Sequence, residues 1–235
     1  MSSEAVRLEL KKYSSAKKAE ASSWFFKTGP GQYGQGDKFI GVTVPEQRKI
    51  ALQFSHLSHP ELKNLLKSKI HEERLVGLLI LVDQFKKADE KVRKQIYNFY
   101  LKNIKSVNNW DLVDLSAPNI IGTYLVDKPK KILYKQAKSK NLWLRRISIV
   151  SSLAFIQKGD CRATFEIAKI LLTDKEDLIQ KAVGWMLREV GKRVSKQDLE
   201  KFLKSNYKIM PRTMLRYSIE HFPENTRQEY LKGTI

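Results

Sequence analysis

The chain has 235 residues and carries 44 Lys and Arg against 25 Asp and Glu, a formal net charge of +19. This excess of positive charge favours a polyanionic partner and argues against a protein-binding scaffold, unless its partner is acidic. The single cysteine, Cys161, excludes intrachain disulfides and sites with several cysteine ligands, and it suits a reducing cytoplasm. We expect no membrane partner, because no long apolar run occurs and the first residues lack the apolar core of a signal peptide.

The N-terminal segment combines basic and aromatic residues. Residues 4–18 are predicted to form a basic amphipathic helix with Val6, Leu10 and Tyr13 on one side. The aromatic segment Trp24–Phe26 follows. Trp24, together with Trp143 further along the chain, is predicted to pack in the core or between helices, since buried aromatics dominate such interfaces.

The segment Gly29–Gly36 contains the pattern G-x-G-x-x-G. A dinucleotide site needs a strand before this pattern and a helix directly after it. Here an aromatic segment precedes the pattern and Pro30 occupies its second position, and no kinase motif follows downstream. We therefore predict a flexible connector, in which Tyr33 and Lys38 are available to touch a ligand.

From Pro45 onwards, apolar residues recur at helical spacing almost without interruption. Proline is suited to a first helical turn, where its missing N–H does no harm. The helix predicted at about 72–87 is apolar on every side and should be buried. Further helices are predicted at 90–103, 109–125, 128–139, 142–157, 162–173, 177–191, 195–204 and 211–221.

A repeat with a period in the thirties runs through these helices. Similar segments lie at 73–76, 144–150 and 179–185; Arg146 lies 35 residues after Asp111 and 35 before Lys181, and 72 after Arg74. Such a period, made of helix pairs, indicates a stacked solenoid of the HEAT, armadillo or tetratricopeptide type. We predict an all-α, curved helical-repeat solenoid with a concave basic groove, forming a single domain over residues 1–235.

The stretch from 108 to 118 is the candidate site. Asn108 or Asn109 can cap a helix, and Asp111 then lies in a first turn, where the helix dipole favours an anion. Asp114 lies four residues after Trp110, so both side chains project from one face. This is either an aromatic wall beside a carboxylate or a buried Trp with a solvated Asp.

The repeat register makes Asp114 and Gly184 equivalent positions, next to Trp185. It therefore predicts that Trp110, Asp114, Arg146 and Trp185 can all face one groove.

Four segments of the sequence closely resemble the AlkD-type DNA alkylation repair family. They are Phe39–Arg48, Asn109–Asp114, Trp143–Arg146 and Ile179–Glu189, and the resemblance extends from about residue 20 to 220. It implies a HEAT-like helical-repeat fold. It also implies the activity of the family's active members, monofunctional glycosylases that remove N3- and N7-alkylated purines from DNA.

The resemblance also implies roles for individual residues. Asp114 would be the catalytic carboxylate, Trp110 and Trp185 the aromatic walls around the damaged nucleotide, and Arg146 a supporting cation. Phe25 stands about where the family's substrate-binding aromatic residue, a Tyr, is expected. This difference and the long Gly29–Gly36 loop bear on substrate preference more than on chemistry.

The segment from Lys128 to Arg146 contains eight basic residues and no acidic one. It is either an ordinary solvated helix face or a phosphate-binding surface. We predict DNA-backbone contacts for Arg145, Lys138 and Lys140, with Lys181 and Arg188 as further contacts.

These observations predict a glycosylase that hydrolyses the N-glycosidic bond of cationic N3- or N7-alkylated purines in duplex DNA. Such a base already carries positive charge and leaves without a general acid, so we expect no cofactor, metal or covalent nucleophile. His56 and His59 could share a helix face, but no third metal ligand is near in sequence, so we expect them to lie in a loop or cap. The alternative is a non-catalytic helical-repeat protein that binds distorted or branched DNA. We expect a cytoplasmic monomer that is nucleoid-associated when bound to DNA.

Overall fold

The computed structural model describes residues 1–235 and is all-helical, apart from one isolated parallel bridge between Lys38 and Ile70. The all-α prediction is confirmed, and the succession of helices is consistent with a helical-repeat protein. No helix is both long enough and apolar enough to cross a membrane. The chain divides into two compact units, Met1–Ser116 and Ala117–Ile235. The single domain over residues 1–235 stays a prediction.

The N-terminal unit contains six complete helices, a 3-10 turn at Ile104–Ser106, and most of a seventh helix that reaches the boundary between the units. The helices are α1 (Ser3–Lys12), α2 (Ala16–Phe25), α3 (Val44–Gln53), α4 (His59–Leu66), α5 (His71–Lys87), α6 (Glu90–Lys102) and α7 (Trp110–Ala117).

The predicted helix over 4–18 is wrong beyond Lys12. Ser15 instead caps α2, because its hydroxyl accepts the N–H of Lys18. Serine favours this position over a helix interior, where its side chain competes for backbone hydrogen bonds. Val6 and Leu10 are buried as predicted, whereas Tyr13 lies beyond the end of α1 and is 40% exposed.

Helix α5 is the centre of the N-terminal unit. Every residue from His71 to Val82 is buried, which confirms the helix predicted to be buried on all sides. Helices α3 and α4 pack against it, and Gln84 donates to the carbonyls of Ser55 and Leu57, both at 2.8 Å. Since α5 is enclosed by its neighbours, its first turn can hold charged side chains away from water.

The C-terminal unit begins with a π-helical turn at Pro118–Gly122 and continues through eight helices. Helix α12 packs against α9, α13 and α14. The helices are α8 (Lys131–Ala137), α9 (Leu142–Ser151), α10 (Leu153–Ile156), α11 (Arg162–Ile170), α12 (Asp177–Arg193), α13 (Lys196–Asn206), α14 (Arg212–Ser218) and α15 (Glu224–Lys232).

Two of the helices predicted after Pro45 are interrupted, and the last helix of the chain is missed. The helix predicted at 109–125 changes to π-helical geometry at Pro118, since proline lacks the N–H and crowds the preceding turn. The helix predicted at 142–157 breaks at Ser152, whose hydroxyl donates to the Ile149 carbonyl at 2.7 Å. Helix α15 was not predicted, because Glu224–Lys232 buries only Tyr230 and carries little periodic signal.

Gly184 permits a close approach of α12 and α14. A Cβ at this position would lie 2.5 Å from the Tyr217 Cβ and 2.6 Å from the Met214 carbonyl oxygen. We expect Gly184→Ala to lower the free energy of unfolding by about 1–3 kcal/mol, the usual cost of overpacking. Urea unfolding measures this effect, and Gly77→Ala is the matched control, since its Cβ would meet the Leu65 Cβ at 3.3 Å. Equal stabilities of the two variants would contradict the prediction.

Candidate functional site

Asn109, the residue directly before α7, fixes the first turn of this helix. This residue is fully buried, its side-chain oxygen accepts the N–H of Trp110 at 2.8 Å, and its side-chain nitrogen donates to Asp37 at 3.1 Å. The prediction that an asparagine holds the start of this helix is confirmed for Asn109. The same side chain also connects the helix to the loop that contains Asp37.

Trp110 belongs to an aromatic stack. Its indole stacks on Phe26 with ring centroids 5.3 Å apart, and Phe25 approaches it edge-on at 6.0 Å. Phe26 stacks in turn on Phe39 at 5.0 Å. Trp110 is partly exposed and Phe25 is 56% exposed. The structure therefore brings Phe25 and Trp110, both predicted from the sequence, into one aromatic surface.

Asp114 lies one turn after Trp110 on α7. Its neighbours Leu112 and Val113 are fully buried, whereas Asp114 is partly exposed. Because residues four apart on an α-helix lie on one face, the carboxylate and the indole occupy the same side of α7. The aromatic surface and the carboxylate are thus adjacent within the N-terminal unit.

A buried ionic cluster lies beside the first turn of α7. His71 is at the centre: its Nε2 lies 2.7 Å from the Asp111 carboxylate and its Nδ1 lies 3.1 Å from the Asp37 carboxylate. Arg74 donates to the second oxygen of Asp37 at 2.7 Å. The sequence placed Asp111 in a first helical turn but did not identify these three partners. For His71 and Arg74 the only sequence signal is that charged residues begin an otherwise apolar helix, whereas Asp37 lies in a loop and has no such signal.

The cluster shifts the pKa values of its members. Burial lowers the pKa of His71, but the hydrogen bonds to Asp111 and Asp37 raise it by more, so it lies above its ordinary value of 6.5. Burial raises the pKa of Asp37, whereas His71, Arg74 and Asn109 lower it by more, so it lies below its ordinary value of 3.8. Both shifts favour a charged cluster at neutral pH.

The cluster predicts how stability depends on pH. Because the pKa of His71 is raised, its contribution is complete below about pH 6.5 and is lost as pH rises through the folded-state pKa. We expect the stability advantage of wild type over His71→Gln to shrink between pH 6 and pH 9, by roughly 1.4 kcal/mol for each pKa unit. Thermal unfolding at both pH values measures this. An advantage that is constant or grows with pH would contradict it.

The opposite dependence is expected for Asp37. The pKa of its carboxyl group is lowered on folding, so its contribution is present above about pH 3.8 and is lost as pH falls through the folded-state pKa. The cluster therefore contributes most to stability between about pH 3.8 and pH 6.5.

The loop after the glycine-rich segment is attached to α5. The buried Glu72 carboxylate accepts the N–H of Gly41 at 2.8 Å and that of Ile40 at 3.1 Å. Lys38 exchanges backbone hydrogen bonds with Lys69 and His71 at 3.0 and 2.8 Å. These contacts hold Asp37 against His71. Contact of Lys38 with a ligand stays a prediction, and its side chain is exposed.

The prediction that Trp24 packs in the core or between helices is wrong. Its side chain is 83% exposed near the end of α2, a helix that has no buried residue. Trp24 and Phe25 line an open recess of about 650 Å³ together with Lys27 and the start of the glycine-rich segment. Trp143 is only partly exposed.

The C-terminal unit contains the other two predicted site residues. Arg146 is buried on α9, and its guanidinium donates to the Leu178 carbonyl at the start of α12. Trp185 follows Gly184 on α12 and is partly exposed. Trp110 and Asp114 lie in the N-terminal unit, so the convergence of all four residues on one groove stays a prediction.

The predicted DNA-binding cations differ in their surroundings. Arg145 pairs with Asp174, with its Nε 2.6 Å from the carboxylate, and also donates to two backbone carbonyls. Lys181 pairs with Asp177 at 2.6 Å, and Arg188 pairs with Glu220 and lies 3.9 Å from Glu189. Lys138 and Lys140 are exposed. Contact of these residues with DNA stays a prediction, and the two lysines are the best placed for it.

The other residues considered from the sequence have ordinary surroundings. His59 begins α4 and stacks on Phe99 with ring centroids 4.6 Å apart. Burial raises the pKa of the Cys161 thiol, which makes it a weaker nucleophile at neutral pH. No group of three or more His, Cys, Asp or Glu side chains could hold a metal ion.

Comparisons with known proteins agree with this architecture. A solved structure described as a predicted DNA alkylation repair enzyme from Enterococcus faecalis shares the fold, with a TM-score of 0.71 and 18% sequence identity, over 90% of this chain and 97% of that chain. No curated protein gives a match. The family described as DNA alkylation repair enzyme matches residues 6–222, and the chain therefore belongs to this family.

Proposed function

We propose that the protein is an AlkD-type DNA glycosylase that hydrolyses the N-glycosidic bond of cationic N3- or N7-alkylated purines in duplex DNA. The observation that carries this proposal is the placement of Asp114 one turn after Trp110, whose indole packs against the exposed Phe25 ring. Membership of the DNA alkylation repair enzyme family supports it. The net charge of +19 supports a DNA partner.

The chemistry needs few groups. The bond between the sugar C1′ and the purine nitrogen breaks, its electron pair neutralises the positively charged base, and an oxocarbenium-like sugar remains. Asp114 would stabilise this cation electrostatically, and water would then attack C1′ and lose a proton to solvent or to the carboxylate. An indole face attracts a cation by about 0.5–2 kcal/mol, depending on desolvation, so Trp110 and Trp185 would add to this stabilisation.

The phosphate backbone would be bound by lysine and arginine side chains. Base-edge hydrogen bonds are not needed in this scheme, because the charge of the lesion itself distinguishes it from normal bases. Arg146 would support the site as a cation, and the protein would act as a cytoplasmic monomer on chromosomal DNA. We propose that these contacts would be made in a concave basic groove of the kind that a helical-repeat solenoid can form.

Release of 7-methylguanine and 3-methyladenine from methylated duplex DNA tests the proposal. We expect wild-type protein to release both bases and to leave abasic sites without cutting the strand. Tight binding to duplex or branched DNA with no base release would overturn it. That result would favour the alternative, a helical-repeat protein that binds distorted DNA without excision.

A further inference from the structure

We infer that His71 is a positioning residue, which holds the first turn of α7 and thereby sets the place of Trp110 and Asp114. The inference rests on the proposed function of those two residues. His71 itself is buried at the start of α5, so the proposed role needs no contact between its side chain and DNA.

The contact between His71 and α7 is short and shielded from water. The imidazole Nε2 lies 2.7 Å from Asp111, the residue directly after Trp110 and three before Asp114. The side chains of His71 and Asp37 are 2% and 5% exposed, and that of Asp111 is 16% exposed. Hydrogen bonds between charged groups in such surroundings are stronger than those at a surface. Movement of Asp111 would displace the turn that carries both site residues.

The two flanking carboxylates favour the charged form of His71, in which both ring nitrogens are donors. Asp37 and Asp111 lie at opposite nitrogens of the ring, and only the imidazolium donates through both. Arg74 compensates the second negative charge, since it pairs with Asp37 at 2.7 Å and its guanidinium lies 3.4 Å from the His71 Nδ1. With His71 charged, the two carboxylates and two cations cancel.

A second set of contacts connects the same ring to Trp110. Phe26 and Phe39 pack on the imidazole with centroid distances of 4.9 and 4.7 Å. Phe26 is also the ring on which the Trp110 indole stacks, at 5.3 Å. His71 therefore supports the indole through Phe26 and supports the helix backbone through Asp111, and both sets of contacts lie within the N-terminal unit.

Two isosteric variants separate positioning from folding. His71→Gln keeps an N–H donor at the place of Nε2, facing Asp111, whereas His71→Asn keeps one at the place of Nδ1, facing Asp37. Both remove the charge, so an effect of the lost charge alone would be the same in both. We expect His71→Asn to slow single-turnover excision of 7-methylguanine about 100-fold, the effect of a displacement of about 1 Å. We expect His71→Gln to excise 7-methylguanine at least tenfold faster than His71→Asn. His59→Gln is the control, with an unchanged rate.

A measurement on the free protein keeps this inference separate from the proposed function. The protein is labelled with 5-fluorotryptophan, and the fluorine resonance of Trp110 is assigned as the one missing in Trp110→Phe. We expect this resonance to shift from its wild-type position in His71→Asn. In His71→Gln it should stay near the wild-type position. This holds whether or not wild type excises bases. Absence of excision by wild type would overturn the proposed function alone. Equal resonances in the two His71 variants, or equal excision rates where wild type is active, would overturn the positioning role.

Discussion

Replacement of Asp114 by Asn is expected to slow the release of 7-methylguanine roughly 1000-fold under single-turnover conditions. The carboxylate would face a developing sugar cation, and at ~4 Å with an effective dielectric constant of about 20 their attraction is about 4 kcal/mol. Each 1.4 kcal/mol or so corresponds to a factor of about ten in rate. Asn preserves the size of the side chain and removes its charge, so the rate difference isolates the electrostatic contribution.

The affinity for DNA should not fall with the excision rate when Asp114 is replaced by Asn. A carboxylate on a DNA-binding surface is repelled by phosphates, so Asp114→Asn should bind undamaged duplex as tightly as wild type or more tightly. Glu20→Gln, at an exposed position of α2, removes the same charge elsewhere in the N-terminal unit and serves as the control. Undiminished excision by Asp114→Asn would refute the role of this residue, even if the wild-type protein proved to be a glycosylase.

Much of the architecture could be predicted from local sequence patterns. The helical spacing of apolar residues identified α5 and its burial on all sides, because a helix enclosed by others is apolar all round. The spacing of four between Trp110 and Asp114 placed them on one face of α7. Phe25 was placed at the site by family resemblance, and it lies against Trp110 in the structure.

What could not be predicted depends on contacts between distant parts of the chain. Asp37 and His71 are 34 residues apart, and His71 and Asp111 are 40 apart. A single sequence contains no periodicity that links such residues. Trp24 was misplaced for a related reason, since the aromatic segment indicated burial whereas only the fold determines which of its rings face inward.

The segment Ile179–Glu189, which carries much of the family resemblance, has structural reasons for several of its residues. Gly184 admits the backbone of α14 next to α12, and Ile179 and Leu187 are fully buried. Arg188 and Glu189 make ion pairs, with Glu220 and Arg193 respectively. Such a motif identifies a fold at least as much as a catalytic site, so the chemistry has to be tested at Trp110, Asp114 and Trp185.

The cations of the basic segment from Lys128 to Arg146 fall into two groups, those with contacts inside the protein and those exposed to solvent. Lys128 and Lys130 lie over the rings of Tyr124 and Phe155, at 4.4 and 4.7 Å, and Arg145 is paired with Asp174. The exposed lysines are those on and directly after α8: Lys131, Lys135, Lys138 and Lys140. We therefore expect phosphate contacts to be made mainly by this exposed group.

The double variant Lys138→Gln, Lys140→Gln tests this expectation through the salt dependence of DNA binding. Each lost phosphate contact should reduce the slope of log affinity against log salt by about 0.9, so the slope should become shallower by about 1.8 in total. At physiological salt this corresponds to roughly a fivefold loss of affinity for each lysine. Fluorescence anisotropy with undamaged duplex measures both quantities.

The double variant Lys94→Gln, Lys102→Gln is the matched control, because it removes the same charge from exposed positions of α6. If the protein's net charge alone attracted DNA, the two double variants would lose affinity equally and their slopes would match. A loss confined to Lys138 and Lys140 would instead locate the phosphate backbone along the surface near α8. Since neither lysine is part of the proposed catalytic group, excision at saturating protein should then keep its wild-type rate, which separates DNA binding from base removal.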